Sequence, residues 1–274
     1  MHLKYTFFVD ADRRDVLLAL LQNLPFQAFE EVEDGLITGV DSEEVTDDFV
    51  EQLRSFQQIV AFDYVKQKMD DENWNAVWEA TFREILIDDF CQIRAPFHPK
   101  RDDVSHTIMI EPRMAFGTGH HETTRLMIRA MRDLDICNLQ VGDFGSGTGI
   151  LAILALKLGA GGVKAIECDP VAFENLLENT ILNHADAISC LLGDNLSSME
   201  DEALDVLLVN ITRNTLLHHL PEFARVLKVG GYLLLAGFLE HDMEVIVKRA
   251  HDYRFSLQNH YGENDWLSLT LIKE

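Results

Sequence analysis

Residues 4–9 read as a strand, and the period then lengthens: Val16, Leu17, Leu20, Leu21 and Leu24 recur at helical spacing behind Asp12, a capping residue, until Pro25 ends the helix. Residues 26–32 and 35–40 read as two strands about Glu33-Asp34-Gly35, an acid-glycine hairpin signal. A second helix, capped at Thr46 or Asp47, carries Phe49, Val50, Leu53 and Phe56, and residues 59–65 form a fourth strand. The order strand, helix, two strands, helix, strand predicts a small α+β module with helices on one face of its sheet, close to a ferredoxin-like arrangement.

A polar break at Met69-Asp70-Asp71-Glu72-Asn73 leads into a helix-like segment with Trp74, Trp78 and Phe82, read as a connecting helix whose aromatic rings pack between modules. Short strands follow at 85–87, 91–95 and 107–111, with a loop marked by Pro96 and Pro99. These signals divide the chain into a module over 1–68, a linker with connecting strands over 69–106, and a larger domain over 107–274. In the larger domain, a helix over 125–134 is followed by alternating apolar and helical runs. Strands are expected at 163–167, 188–192, 205–209 and 232–236, and helices at 170–184, 216–227 and 243–253. Residues 255–260 and 266–272 form a closing hairpin. Alternation of this kind gives a parallel sheet with crossover helices, here seven-stranded and ending in an antiparallel hairpin, the α/β layout of the common methyltransferase fold rather than of a dehydrogenase.

The richest chemistry lies in Val141-Gly142-Asp143-Phe144-Gly145-Ser146-Gly147-Thr148-Gly149-Ile150-Leu151, where a short apolar run meets glycines at alternating positions and then a helix start. Such a turn needs backbone angles that a Cβ obstructs, lets a ligand lie against bare main chain, and aims helix N–H groups at it. The spacing is G-x-G-x-G, not the G-x-G-x-x-G of dinucleotide sites, and suits a mononucleoside whose carboxylate and amine meet the turn. Glu167 ends the next apolar run about 20 residues on, where an acid accepts hydrogen bonds from both ribose hydroxyls. Gly145, Glu167 and Asn210 all fall at C-terminal strand ends, where ligands bind in such sheets. Asp194, in Gly193-Asp194-Asn195, is placed to accept from an adenine amino group. Competing structural readings stand beside these: the glycines as a tight turn, Asn210 as a turn-former, and Thr123 or Thr124 as a helix cap behind the loop Met114-Ala115-Phe116-Gly117-Thr118-Gly119.

Charge sharpens the choice of partner. The chain has 23 Lys and Arg against 46 Asp and Glu, a net charge of −23. Residues 1–90 carry 7 basic and 21 acidic side chains, so a third of the chain holds more than half of the excess. That field repels nucleic acid and attracts a basic protein, although solubility alone also accounts for it. The absence of an 18-residue apolar run argues against a membrane partner, and the acidic N-terminus lacks a signal-peptide profile, so a cytoplasmic location is expected. The four cysteines form no C-x-x-C pair and read as buried free thiols, and the eleven histidines form no metal pattern.

Met114-Ala115-Phe116-Gly117-Thr118-Gly119-His120-His121-Glu122-Thr123-Thr124, Asp143-Phe144-Gly145-Ser146-Gly147-Thr148-Gly149-Ile150-Leu151-Ala152, Glu167-Cys168-Asp169-Pro170 and Val209-Asn210-Ile211 together closely resemble the PrmA family, enzymes that methylate the large-subunit ribosomal protein L11 with S-adenosylmethionine. The motif resemblance spans about residues 107–274, and the first module resembles the family's substrate-recruiting domain in layout only. It implies a class I, Rossmann-like methyltransferase domain. It also places Thr124 and Gly145 by the methionine end of the cofactor, Glu167 on the ribose and Asn210 beside the transferred methyl; Gly147 of the turn and Asp194, read from its strand end, complete the expected cofactor-binding set. Glu167 stands where aspartate is usual, and Asn210-Ile211-Thr212-Arg213 replaces a more apolar sequel. The chain lacks the N-P-P-Y or D-P-P-Y of enzymes that methylate planar amides and adenine, so an aliphatic amine is the expected acceptor, with ribosomal protein L11 as partner and a monomer as the working form. Rival expectations are another protein or small-molecule acceptor, a non-catalytic cofactor sensor, or, opposed by the glycine spacing, a nicotinamide oxidoreductase. No general base is assigned.

Overall fold

In the computed structural model, residues 2–10, 13–22, 24–26, 29–32, 35–68, 83–111 and 121–274 are described. The chain divides into two units, Met1–Thr81 and Phe82–Glu274.

The first unit contains β1 (His2–Phe8), α1 (Arg14–Leu21), β2 (Phe29–Val32), β3 (Gly35–Asp41), α2 (Asp47–Gln57) and β4 (Asp63–Lys68). Its sheet runs β2-β3-β1-β4 with every neighbouring pair antiparallel, so the crossover through α1 leaves room for β3 between the strands it joins. Tyr5 and Phe7 of β1 are buried against Leu17 and Leu21 of α1 and Phe49 and Leu53 of α2 in one core. Phe26 meets the rings of Tyr5 and Phe49 edge-on at 5.3 and 5.2 Å. Thr46 is the cap of α2, its hydroxyl accepting from the Phe49 N–H at 3.2 Å. The proposed cap of the first helix, Asp12, and the segment with Trp74 and Trp78 lie outside the described residues. The fourth strand begins at Asp63 rather than at 59, because Ile59 and Val60 both donate to the Phe56 carbonyl and extend the end of α2.

The second unit opens with a three-stranded sheet. β5 (Ile85–Ile87) pairs antiparallel with β6 (Cys91–Arg94), and β6 parallel with β7 (His106–Met109). The sequence reading set 85–106 in the connecting segment. These strands pack into the second unit instead, because Ile87, Cys91, Ile93 and Ile108 share a core with Met127, Ile128 and Ile153. Then come α3 (Glu122–Arg132), β8 (Gln140–Phe144), α4 (Ile150–Lys157), β9 (Gly162–Glu167), α5 (Pro170–Leu182), β10 (Ile188–Leu192), β11 (Leu204–Asn210), α6 (Arg213–Val226), β12 (Leu227–Leu239), α7 (Met243–His251), β13 (Phe255–Glu263) and β14 (Trp266–Lys273).

The large sheet has the order β10-β9-β8-β11-β12-β14-β13, with β8 to β12 parallel and β14 antiparallel to both of its neighbours. β11 shows how it is buried on both faces. Val206 and Leu208 face the core that contains α4, while Leu207 and Val209 face the core with Leu216 and Phe223 of α6. Apolar residues cover the whole circumference of α4, and Ile150 to Ala155 are all buried, as expected of a helix wedged between sheet and neighbours. Val229-Gly230-Gly231, between the helix expected to 227 and the strand expected from 232, forms an irregularity inside a longer β12. Register there jumps from Leu204↔Leu227 to Val206↔Tyr232, and Gly230 takes φ +79. Among the described residues no helix is long and apolar enough to cross a membrane. All four cysteines are free, but only Cys91 is buried, its thiol pushed up to about 12 by burial. Cys137 and Cys168 are exposed because they sit beyond the ends of α3 and β9.

Candidate active site

At the end of β8 the chain turns on Gly145 (φ +73), whose N–H, with that of Ser146, donates to the Ile166 carbonyl of β9 at 2.9 and 3.0 Å. The turn thus folds across the sheet end before Gly149 (φ +79) caps α4 in the left-handed region. Two carboxylates hold it. Asp143 is 1% exposed and accepts from the Ala152 N–H at 3.0 Å in the first turn of α4. Glu167 accepts from the Gly147 N–H at 2.7 Å with one oxygen, and from the Cys168 and Asp169 N–H groups at 2.9 Å with the other. Asp169 then caps α5 through Val171 and Ala172 at 2.8 and 2.9 Å.

Burial raises the Asp143 carboxyl to about 7; the Ala152 N–H opposes this and the charge of Glu167 adds to it. Because the folded form holds its proton more tightly than an unfolded chain, Asp143 contributes stability that is complete below about pH 4 and is lost as pH rises towards 7. Asp143→Asn is expected to remove this slope, at most about 1.4 kcal/mol per pH unit. Urea midpoints measured between pH 5 and 8 should fall with pH for the parent and stay flatter for the variant; parallel curves exclude this titration.

Beside the turn is a cavity of about 670 Å³, a volume suited to a small-molecule ligand. Gly145, Gly147 and Glu167 contribute at the β8 and β9 ends, and Asn210, Ile211 and Thr212 at the β11 end. His121 and Trp266 complete it as an edge-on pair with ring centroids 4.6 Å apart. Asn210 Oδ1 and Ser146 Oγ are buried without a hydrogen-bond partner among the described residues. Unpartnered buried acceptors are costly in a closed core and are satisfied by a polar ligand. A Cβ on Gly145 would come within 2.5 Å of Ile211 Cγ2, so the bare turn is also what lets Ile211 approach it.

The site brings together Gly145, Gly147, Glu167 and Asn210. Thr124 is buried in α3 with its hydroxyl unpartnered among the described residues, and it is Thr123 that reaches the cavity. Neither threonine caps α3: the cap is His121, whose ring nitrogen accepts from the Thr123 N–H at 3.2 Å. Asp194 stands apart, because it is exposed at the end of β10, takes the Asn195 side chain at 2.8 Å, and does not line the cavity. The Met114-to-Gly119 loop and His120 lie outside the described residues. Its approach is nevertheless fixed, since Asn179 accepts from the Glu111 N–H and Asn183 from the Met109 N–H, each at 2.9 Å, while Asn179 also donates to the Thr148 carbonyl of the glycine turn.

Sequence reasoning missed Trp266, His121, Asp169, Ile211 and Gly237. Two left a signal: Gly237, as an isolated glycine within a strand pattern, and Asp169, as a capping residue directly before Pro170. It takes φ +98 where the β12–β14 register shifts between Ala236 and Phe238.

A seven-stranded sheet of this order, with a glycine turn and an acid at adjacent strand ends around a cavity, defines a Rossmann-like, S-adenosylmethionine-dependent methyltransferase. The sequence matches the family described as Ribosomal protein L11 methyltransferase (PrmA) over residues 21–274, and the chain belongs to that family. A Porphyromonas gingivalis protein named Ribosomal protein L11 methyltransferase is 39% identical, covering 93% of this chain and 89% of its own length. One of the same name from Phocaeicola vulgatus is 34% identical, covering 94% and 93%. The crystal structure of ribosomal protein L11 methylase from Lactobacillus delbrueckii subsp. bulgaricus superposes with a TM-score of 0.63 at 27% identity, over 70% of this chain and 100% of that one.

Proposed function

We propose that this chain transfers methyl groups from S-adenosylmethionine to amino groups of ribosomal protein L11, on lysine side chains, the N-terminal amine or both. The observation that carries this reading is the meeting, in one cavity, of the Gly145 and Gly147 turn, the Glu167 carboxylate and the Asn210 amide. The fit is favourable: the turn offers bare backbone, Glu167 offers charged acceptors, and Asn210 Oδ1 lacks a partner among the described residues. Gly145 and Gly147, with Thr124 behind Thr123, would hold the methionine end of the cofactor, and Glu167 its ribose. Asp194 falls outside this assignment, because the cavity does not reach it.

When bound, S-adenosylmethionine supplies a sulfonium methyl that is already activated for displacement. The protein's task is then alignment and exclusion of water. Asn210, at the end of β11, would accept an N–H of the neutral amine and point its lone pair into the cavity. Ile211 and Trp266 line the same cavity and add apolar surface to it. The strongly acidic residues 1–90 favour a basic protein as partner and disfavour nucleic acid. In this reading the protein works in the cytoplasm as a monomer.

Mass spectrometry of ribosomal protein L11 after incubation with enzyme and cofactor tests reaction, acceptor and site together. Mass increments of whole methyl groups on amine-bearing residues are expected, and an unmodified acceptor beside a methylated alternative would reassign the substrate. Asn210→Ala should lower kcat by roughly a hundredfold with the unfolding midpoint little changed, the scale seen when one positioned polar group is removed. Unchanged turnover rules this role out.

A further inference from the structure

The second unit has another concavity, of about 460 Å³, between the loop after β6, β7, the last residue of α4 and the end of α5. It shares no lining residue with the methyl-transfer cavity. Its walls carry Arg94, Lys100, Arg101 and Lys157 against the single carboxylate of Asp102, with His106 and His184 beside them, in a chain whose net charge is −23. Arg101 is engaged, paired with Asp103 at 2.7 Å and with Glu84 at 3.6 Å. The ammonium groups of Lys100 and Lys157 have no acid partner among the described residues. They lie near enough that Lys100 helps to hold the Lys157 pKa below its ordinary value, behind desolvation, and Lys157 does the same to His106. Arg94 is fixed by donating to the Ala95, Pro96 and His98 carbonyls at 3.2, 3.3 and 2.7 Å and to the Met109 sulfur at 3.1 Å, which engages both terminal nitrogens, and its Nε is buried without a partner among the described residues.

A plainer account covers part of this. Lys157 ends α4 and His184 follows α5, where cations complement helix dipoles. Each helix end acts as about half a negative charge, so two ends offset roughly one cation. Asp102 on the same wall offsets a second, so about one positive charge among Arg94, Lys100 and Lys157 is left without a counter-charge, and an anion relieves it.

We propose that this cavity binds the phosphate group of a small ligand. A phosphate offers three strong acceptor oxygens and nearly two charges, which answers several convergent donors better than a carboxylate can. The cations are gathered in a hollow rather than along a stripe, and the surrounding negative field opposes a nucleic-acid polyanion.

The test is calorimetric titration of the full chain at low ionic strength with inorganic phosphate, pyrophosphate and a short RNA oligomer. NMR of the His106 ring serves as a local reporter. Phosphate or pyrophosphate should bind at one site, shift the His106 signals and weaken with added salt. The double variant Lys100→Gln, Lys157→Gln should lose roughly tenfold or more in that affinity. Its affinity for S-adenosylmethionine should stay unchanged, which also reports that it folds. No binding by roughly 10 mM phosphate or pyrophosphate, or binding that survives the double substitution, overturns the site. RNA binding tighter than pyrophosphate binding, with the same sensitivity to the substitutions, overturns the small-ligand assignment.

Discussion

Glu167→Ala is expected to raise the dissociation constant for S-adenosylmethionine by about a hundredfold, the loss of two hydrogen bonds to a charged acceptor. The side chain has two duties. Its oxygens accept from the N–H groups of Gly147, Cys168 and Asp169, which ties the glycine turn to the exit of β9. It is also only 7% exposed at the cavity, so a ribose arriving there meets a desolvated carboxylate rather than a hydrated one. Removing it leaves three backbone donors short of an acceptor and the cofactor short of its anchor. Glu167→Gln separates the two duties: one oxygen still accepts, but an amide NH₂ replaces the other and faces an N–H donor. Its affinity should lie between parent and alanine variant. Calorimetry of cofactor binding checks this, with urea unfolding of each variant alongside. If affinity falls only in proportion to stability, Glu167 shapes the turn and does not hold the ligand.

The glycine turn and Glu167 were legible from sequence because their chemistry is local. A strand, a bend that needs φ above zero at Gly145 and Gly149, and an acid at the next strand end all lie within some 25 residues. The alternation of apolar runs and helices likewise gave the parallel sheet, since burial on both faces leaves continuous apolar strands such as Val206 to Val209. What stayed hidden depends on pairing across the chain. Trp266 reaches the cavity because β14 runs antiparallel beside β12, pairing Trp266 with Leu239, and no local period reports that register. His121 gave no cap signal beside Thr123 and Thr124, because capping by an imidazole lies outside the usual Ser, Thr, Asp and Asn choices. Asp194 shows the converse. Its position after β10 matched the pattern of its neighbours, yet the Asn195 side chain offers it a local partner, and β10 is an edge strand with Leu191 and Leu192 exposed.

Asn179 and Asn183 illustrate a third kind of invisibility. In sequence they are ordinary polar positions near the end of a helix. In the fold their amides take the place of a neighbouring strand, accepting from Glu111 and Met109 and donating to Thr148 and Met109 carbonyls. Buried amides with this many matched donors and acceptors fix one register for the segment leading to the Met114-to-Gly119 loop.

Gly237→Ala should be the most destabilising single change near the cavity. A Cβ at this position would stand 2.1 Å from the Ile211 carbonyl oxygen and 2.7 Å from its carbon, and neither can swing aside as a side-chain tip would. The residue also takes φ +98, in the region that L side chains rarely adopt. The two effects together place the cost at roughly 3–5 kcal/mol, the range of backbone strain combined with overpacking. For a domain of this size that lowers the melting temperature by about 10 °C. The damage is also directional: relief requires β12 and the Asn210-Ile211 exit of β11 to move apart, and both Gly237 and Asn210 line the cavity. Cofactor binding should therefore weaken even at temperatures where the variant is fully folded. Gly230→Ala is the internal control, because its φ of +79 is similarly strained but nothing lies within 4 Å of the added carbon. It should lose stability by roughly 1–2 kcal/mol and keep its affinity for S-adenosylmethionine. Equal losses in the two variants would mean that backbone strain, not the contact with Ile211, sets the cost at Gly237.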